Sequence, residues 1–96
     1  MNTIVKRRGI MYKGYIFLPD KEYLRVVNNE IEGTGSSISK VKPCQTQRDS
    51  WIIVYIQSQT SNHYSFFMYE LIKKLKELDM YKDFKKLNTT RKGITK

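Results

Sequence analysis

The chain has 96 residues, 40% of them hydrophobic and 28% charged, proportions that fit one globular domain and exclude a disordered polymer. Its 18 Lys/Arg against 9 Asp/Glu give a net charge of +9, which argues for an acidic partner and says nothing of fold. Cys44 is the one cysteine, so no intramolecular disulfide can reinforce a small core, and a reducing, cytoplasmic setting is expected.

Residues 1–13 carry Lys6, Arg7, Arg8 and Lys13 with no acid. Residues 82–96 carry Lys82, Lys85, Lys86, Arg91, Lys92 and Lys96 against Asp83 alone. Between these ends bases and acids balance. The reading is therefore a basic N-terminal arm (1–10), one domain (11–87) and a basic C-terminal tail (88–96). The arm carries a second reading. Lys6 to Met11 can be encoded with an AGGAGG ribosome-binding sequence just before an ATG. Translation is then expected to start at Met11, with a net charge of +6 after loss of Lys6, Arg7 and Arg8 from the +9 total. Such a signal belongs to a bacterial, phage or plasmid gene.

Residues 10–18 (IMYKGYIFL) have a strand's composition. Pro19-Asp20-Lys21-Glu22 reads as a turn, and residues 23–28 (YLRVVN) as a second strand completing a hairpin. Asn28-Asn29 offers another tight turn, followed by a short strand around Glu30 to Glu32. Gly33 to Ser37 reads as a flexible break, residues 38–42 as a weak edge strand, and 43–50 as a loop. Residues 51–57 (WIIVYIQ), apolar on both faces, predict a central strand.

After the polar connector 57–62, Tyr64, Phe67, Met68, Leu71, Ile72, Leu75 and Leu78 recur at helical spacing. Glu70–Lys74 and Lys73–Glu77 are expected i,i+4 pairs on the solvated side. A second short helix is marked by Leu78, Tyr81, Phe84 and Leu87, and a frayed tail follows. The predicted fold is α+β: an antiparallel sheet of three to five strands with a C-terminal amphipathic helix on one face. The alternative is a small SH3-like barrel with a C-terminal helix.

Little here supports catalysis. One His and one Cys cannot supply a four-ligand His/Cys zinc site, and nothing around Cys44 marks it as a nucleophile for a His63 base. Gly33-x-Gly35 lacks the rest of a phosphate-binding loop. Glu30/Glu32 and Asp79/Asp83 are carboxylate pairs read as solvated, so no metal, cofactor or catalytic residue is assigned. The run from Ile52 to Ile56 is five residues long, far short of the roughly 20 that span a bilayer, so no membrane partner is expected.

The basic residues remain. Lysine and arginine neutralise phosphates, and aromatic rings on a sheet stack on unpaired bases. The expected nucleic-acid contacts are Lys82, Lys85, Lys86, Arg91, Lys92, Arg7, Arg8, Lys13 and Arg25, with Tyr12 and Tyr23 as ring neighbours on an exposed sheet. Tyr15 and Tyr55 are further outward candidates. The composition does not separate DNA from RNA. The alternative is a phage or mobile-element protein that docks on the acidic surface of a host nuclease or polymerase and inhibits it. The apolar central strand leaves a homodimer open.

Overall fold

A computed structural model describes residues 11–44 and 51–95, with side chains as far as Thr89. The order is β1 (Tyr12–Leu18), α1 (Lys21–Ile31), β2 (Ser36–Pro43), β3 (Ile52–Ser58), α2 (Ser61–Glu77) and α3 (Tyr81–Thr95). The strands form one sheet in the order β1-β3-β2, with β3 antiparallel to both neighbours. β1 and β2 are thus parallel to each other, joined through α1, with β3 inserted between them. This is a split β-α-β unit. The α+β class and three antiparallel strands match the sequence reading, and the open sheet sets the barrel aside.

The largest departure lies at residues 21–31, which form α1 and neither a hairpin strand, an Asn28-Asn29 turn nor a Glu30–Glu32 strand. Asp20 decides it. Its carboxylate accepts from the Glu22 N–H at 2.9 Å, a helix N-cap that the Pro-Asp dipeptide had disguised as a turn. Tyr23, Val27 and Ile31, four apart, then form a single buried stripe, and that period outweighs the β-leaning composition of the segment.

The expected flexible break is a defined turn. Thr34 is buried and donates from its hydroxyl to the Ile31 carbonyl at 2.6 Å. Gly33 and Gly35 both take positive φ, and a Cβ at Gly35 would run into the His63 ring. Only glycine meets both demands there.

The core sits between one face of the sheet and the helices. Ile16 and Leu18 of β1 and Val54 and Ile56 of β3 meet Tyr23, Val27 and Ile31 of α1, Phe67, Leu71 and Leu75 of α2, and Phe84 of α3. On α2 the expected stripe holds from Tyr64 to Leu75, while Leu78 is the exposed C-cap. Of the charged residues beside the stripe, Lys74 pairs with Glu77 at i,i+3 (3.3 Å), in place of the two i,i+4 pairs anticipated. An exposed pair of this kind adds little.

The region read as a frayed tail continues α3 to Thr95. Phe84 and Leu87 are buried, and Asn88 bonds to the backbone of β1. The domain limit at 87 therefore cuts through a helix. The N-terminal arm (1–10) lies outside the described residues. No helix among the described residues is long and apolar enough to cross a membrane.

Candidate nucleic-acid interface

Side chains alternate across a strand, so the core face leaves a second set pointing the other way. From β1 these are Lys13, Tyr15 and Phe17, and from β3 Ile53, Tyr55 and Gln57. On β2 the register slips between Ile38 and Lys40. Before the slip Ser37 lies opposite Gln57; after it Lys40 lies opposite Tyr55 and Lys42 opposite Ile53. The bulge thus reverses the faces of the residues that follow it: Lys40 and Lys42 join the open face, while Val41 joins the core side. Neither α1 nor α2 packs on the open face, since both share the core with the opposite set.

Three aromatic rings occupy its centre. Tyr15 lies 5.8 Å from Phe17 and 5.8 Å from Tyr55, the latter edge-on. The Lys40 ammonium stands 5.8 Å from the Tyr55 ring centroid, a cation–π distance. Lys13, Lys40 and Lys42 are exposed. Tyr55 separates two shallow depressions. One, of about 430 Å³, runs past Gly14 from Lys13, Tyr15 and Tyr55 of the open face to Tyr12 and Tyr64 of the opposite side. The other, of about 380 Å³, is lined by Lys42, Pro43, Cys44, Ile53 and Tyr55.

Gly14 shapes the first depression. A Cβ there would stand 2.9 Å from the Tyr64 ring, so glycine lets that ring lie directly against β1. Tyr12 completes the wall with its ring 4.9 Å from Tyr64. Burial, and secondarily Tyr12, push the Tyr64 phenol up to about 12, so it stays a neutral donor at physiological pH.

The acids are segregated from this face. Among the described residues, Asp20, Glu22, Glu30, Glu32, Glu70, Glu77, Asp79 and Asp83 all lie on the helices or their flanking turns, and the strands carry none. The open face therefore carries lysines and aromatics without a described carboxylate, while the helical layer carries both signs, Lys21, Arg25, Lys73, Lys74 and Lys76 standing among its acids.

This geometry separates residues that the sequence reading had grouped. Lys13 stands on the open face, and Tyr12 is partly exposed at its end. Tyr23 and Arg25 belong to α1, on the other side of the sheet. Arg25 is exposed there, but Tyr23 is buried, donating from its hydroxyl to the Met80 carbonyl at 3.2 Å and facing Asp83. Burial, then the charges of Asp83 and Asp20, raise its phenol above the ordinary value. Tyr23 is a core residue, not a stacking ring.

Lys82, Lys85 and Lys86 are exposed on α3; the helix spans Arg91 and Lys92, whose side chains lie outside the described set, as do Arg7 and Arg8. Lys40 and Lys42 went unassigned in the sequence. Their signal was the Lys-Val-Lys alternation, which gains meaning only once β2 is placed beside Tyr55.

The other clusters resolve into structural roles. His63 Nδ1 sits 2.7 Å from Thr60 Oγ1 at the start of α2. Cys44 lies just past the far end of β2, where its N–H bonds to Trp51. An eight-residue strand separates the two, about 26 Å at 3.3 Å per residue, so they cannot act as nucleophile and base within one chain. No group of three or more His, Cys, Asp or Glu among the described residues could hold a metal. No protein-family model, curated protein or solved structure matches the chain.

Proposed function

We propose that this protein binds single-stranded nucleic acid on the open face of its sheet, without catalysing a reaction. The observation that carries the reading is the segregation just described. Tyr15, Phe17 and Tyr55 share a face with Lys13, Lys40 and Lys42, and every described carboxylate is elsewhere. Rings offer every base a stacking partner regardless of sequence, and lysines follow the phosphates. The depression lined by Lys42, Ile53 and Tyr55 suits a base set beside that ring. A duplex, whose bases are already stacked, gains only the lysine contacts. The exposed lysines of α3 add sequence-independent attraction at longer range.

The test is fluorescence anisotropy with labelled single strands of RNA and DNA and with a duplex of equal length, across a range of salt. Single strands should bind more tightly than the duplex. Replacing Lys13, Lys40 and Lys42 by Gln should reduce the single-strand salt slope by about 2, from three phosphate contacts at roughly 0.7 each. Equal affinity for single strand and duplex, or a salt slope unmoved by the three substitutions, would reject the open face as the binding surface.

A further inference from the structure

The two outer edges of the sheet are finished differently. On β1 the outward N–H and C=O of Phe17 are both held by the Asn88 amide. On β2 the direction of each backbone group follows from the register. Cys44 donates to Trp51, so hydrogen-bonded pairs alternate from there, and Lys42 and Lys40 face β3 while Val41 and Pro43 face away. Beyond the bulge Ile38 and Ser36 also face away, consistent with the Gln59-to-Gly35 bond one step further on. No described residue bonds the outward groups of Ile38 or Val41.

The side chains along this edge are sorted by face. Lys40 and Lys42 stand on the open side, and Ile38 and Val41 on the core side, where Val41 remains 42% exposed at the margin of the core. Lysines, a proline and a bulge are the devices that keep an edge from pairing with another copy of itself. Two copies meeting here would bring lysines against lysines. The same lysines attract a strand of opposite charge, and opposite charges across a strand pair are stabilising.

We infer that the β2 edge receives an extended acidic segment of a partner protein. That segment adds a fourth strand, its carboxylates beside Lys40 and Lys42 and its alternate apolar residues over Ile38 and Val41. The inference is carried by the edge and stands apart from the nucleic-acid reading. Because both use Lys40 and Lys42, an oligonucleotide and the segment compete, but only the segment bonds the Val41 amide.

A synthetic peptide alternating Glu and Val, and its Lys/Val counterpart, test it by amide exchange and NMR shift mapping on the whole chain. The Glu/Val peptide should slow exchange at Ile38 and Val41 at least tenfold and bind at least tenfold tighter than Lys/Val. N-methylation of its alternate amides should abolish that protection, a control that leaves the protein unaltered. Lys40→Glu with Lys42→Glu, at exposed positions, should invert the charge preference. Three results would overturn the proposal. These are no protection at millimolar Glu/Val peptide, an unchanged preference in the double variant, or concentration-dependent protection without peptide, which would make a second copy the occupant.

Discussion

The Asn88 side chain brackets the backbone of Phe17, 71 residues away in sequence. Its Oδ1 accepts from the Phe17 N–H at 3.2 Å, and its Nδ2 donates to the Phe17 carbonyl at 3.1 Å. The same Nδ2 reaches the Phe84 carbonyl one turn back at 2.8 Å. A side-chain amide thus stands where another strand would be, tying α3 to the sheet and capping this edge at Phe17.

Asn88→Ala removes both partners from part-buried backbone groups. Each orphaned group costs about 1–3 kcal/mol, partly offset by water at the edge, so a loss of about 2–3 kcal/mol is expected. Asn88→Asp keeps the acceptor and should fall between alanine and wild type above the carboxylate range. Urea unfolding midpoints at constant slope measure both. A loss under 0.5 kcal/mol for alanine would show that α3 docks through Phe84 and Leu87 alone.

Asp79 follows α2 with φ of 62°, the left-handed region. Its N–H bonds to the Lys76 carbonyl at 3.1 Å, and the Met80 N–H to that of Leu75 at 2.8 Å. That is the Schellman closure, which favours glycine at this position. Asp79 also sets a negative charge against the negative end of the helix dipole. Asp79→Gly is expected to stabilise by about 0.5–1 kcal/mol, relief of left-handed strain exceeding the added entropy of the unfolded chain. Asp79→Ala should destabilise. Thermal midpoints that rank alanine above glycine would contradict this account.

Where sequence and structure agree, the signal was a long period. The 3.6-residue stripe from Tyr64 to Leu75 packs on the core, and the apolar run from Ile52 to Ile56 is the central strand, burying Val54 and Ile56 while Ile53 and Tyr55 stay on the open face. Residues 23–28 failed because Val and Tyr favour strands by composition, while the decisive feature was one carboxylate at Asp20 capping a helix. The basic ends were plain in the charge count, and the open face was not. Lys13, Lys40 and Tyr55 lie on three different strands, and only the β1-β3-β2 order with its bulge brings them together. Non-local pairing of that kind leaves no local mark.

The alkaline limb of stability should report Tyr64. Its folded-state phenol titrates at about 12, above the ordinary value of 10. A raised acid keeps its proton longer when folded. Its contribution is therefore complete below pH 10 and is lost as pH rises towards 12. The two units correspond to roughly 2–3 kcal/mol. Tyr23, raised in the same direction, adds to the slope. Tyr64→Phe should flatten the fall between pH 10 and 12, read by urea midpoints alongside phenolate absorbance. An unchanged slope would place the Tyr64 hydroxyl in water and open the wall of the Gly14 depression.

The proposed nucleic-acid interface has two kinds of contact, and substitution separates them. A stacking ring contributes about 1–3 kcal/mol per base, so Tyr55→Ala should weaken single-strand binding by about 5- to 150-fold and leave duplex binding nearly unchanged. Tyr55 is half-buried on the face away from the core, so the fold should survive its loss. Lys82→Gln, Lys85→Gln and Lys86→Gln together act through charge alone. Both affinities should fall by similar factors, and more at low salt, where a Debye length of about 30 Å at 0.01 M lets the α3 charges act at a distance. Anisotropy titrations of the two variants against single strand and duplex give four numbers. Stacking on the sheet requires that Tyr55→Ala change the ratio of single-strand to duplex affinity and that the α3 triple variant leave it alone. A Tyr55→Ala protein that lost both affinities equally would reduce the interface to a basic surface without base contacts.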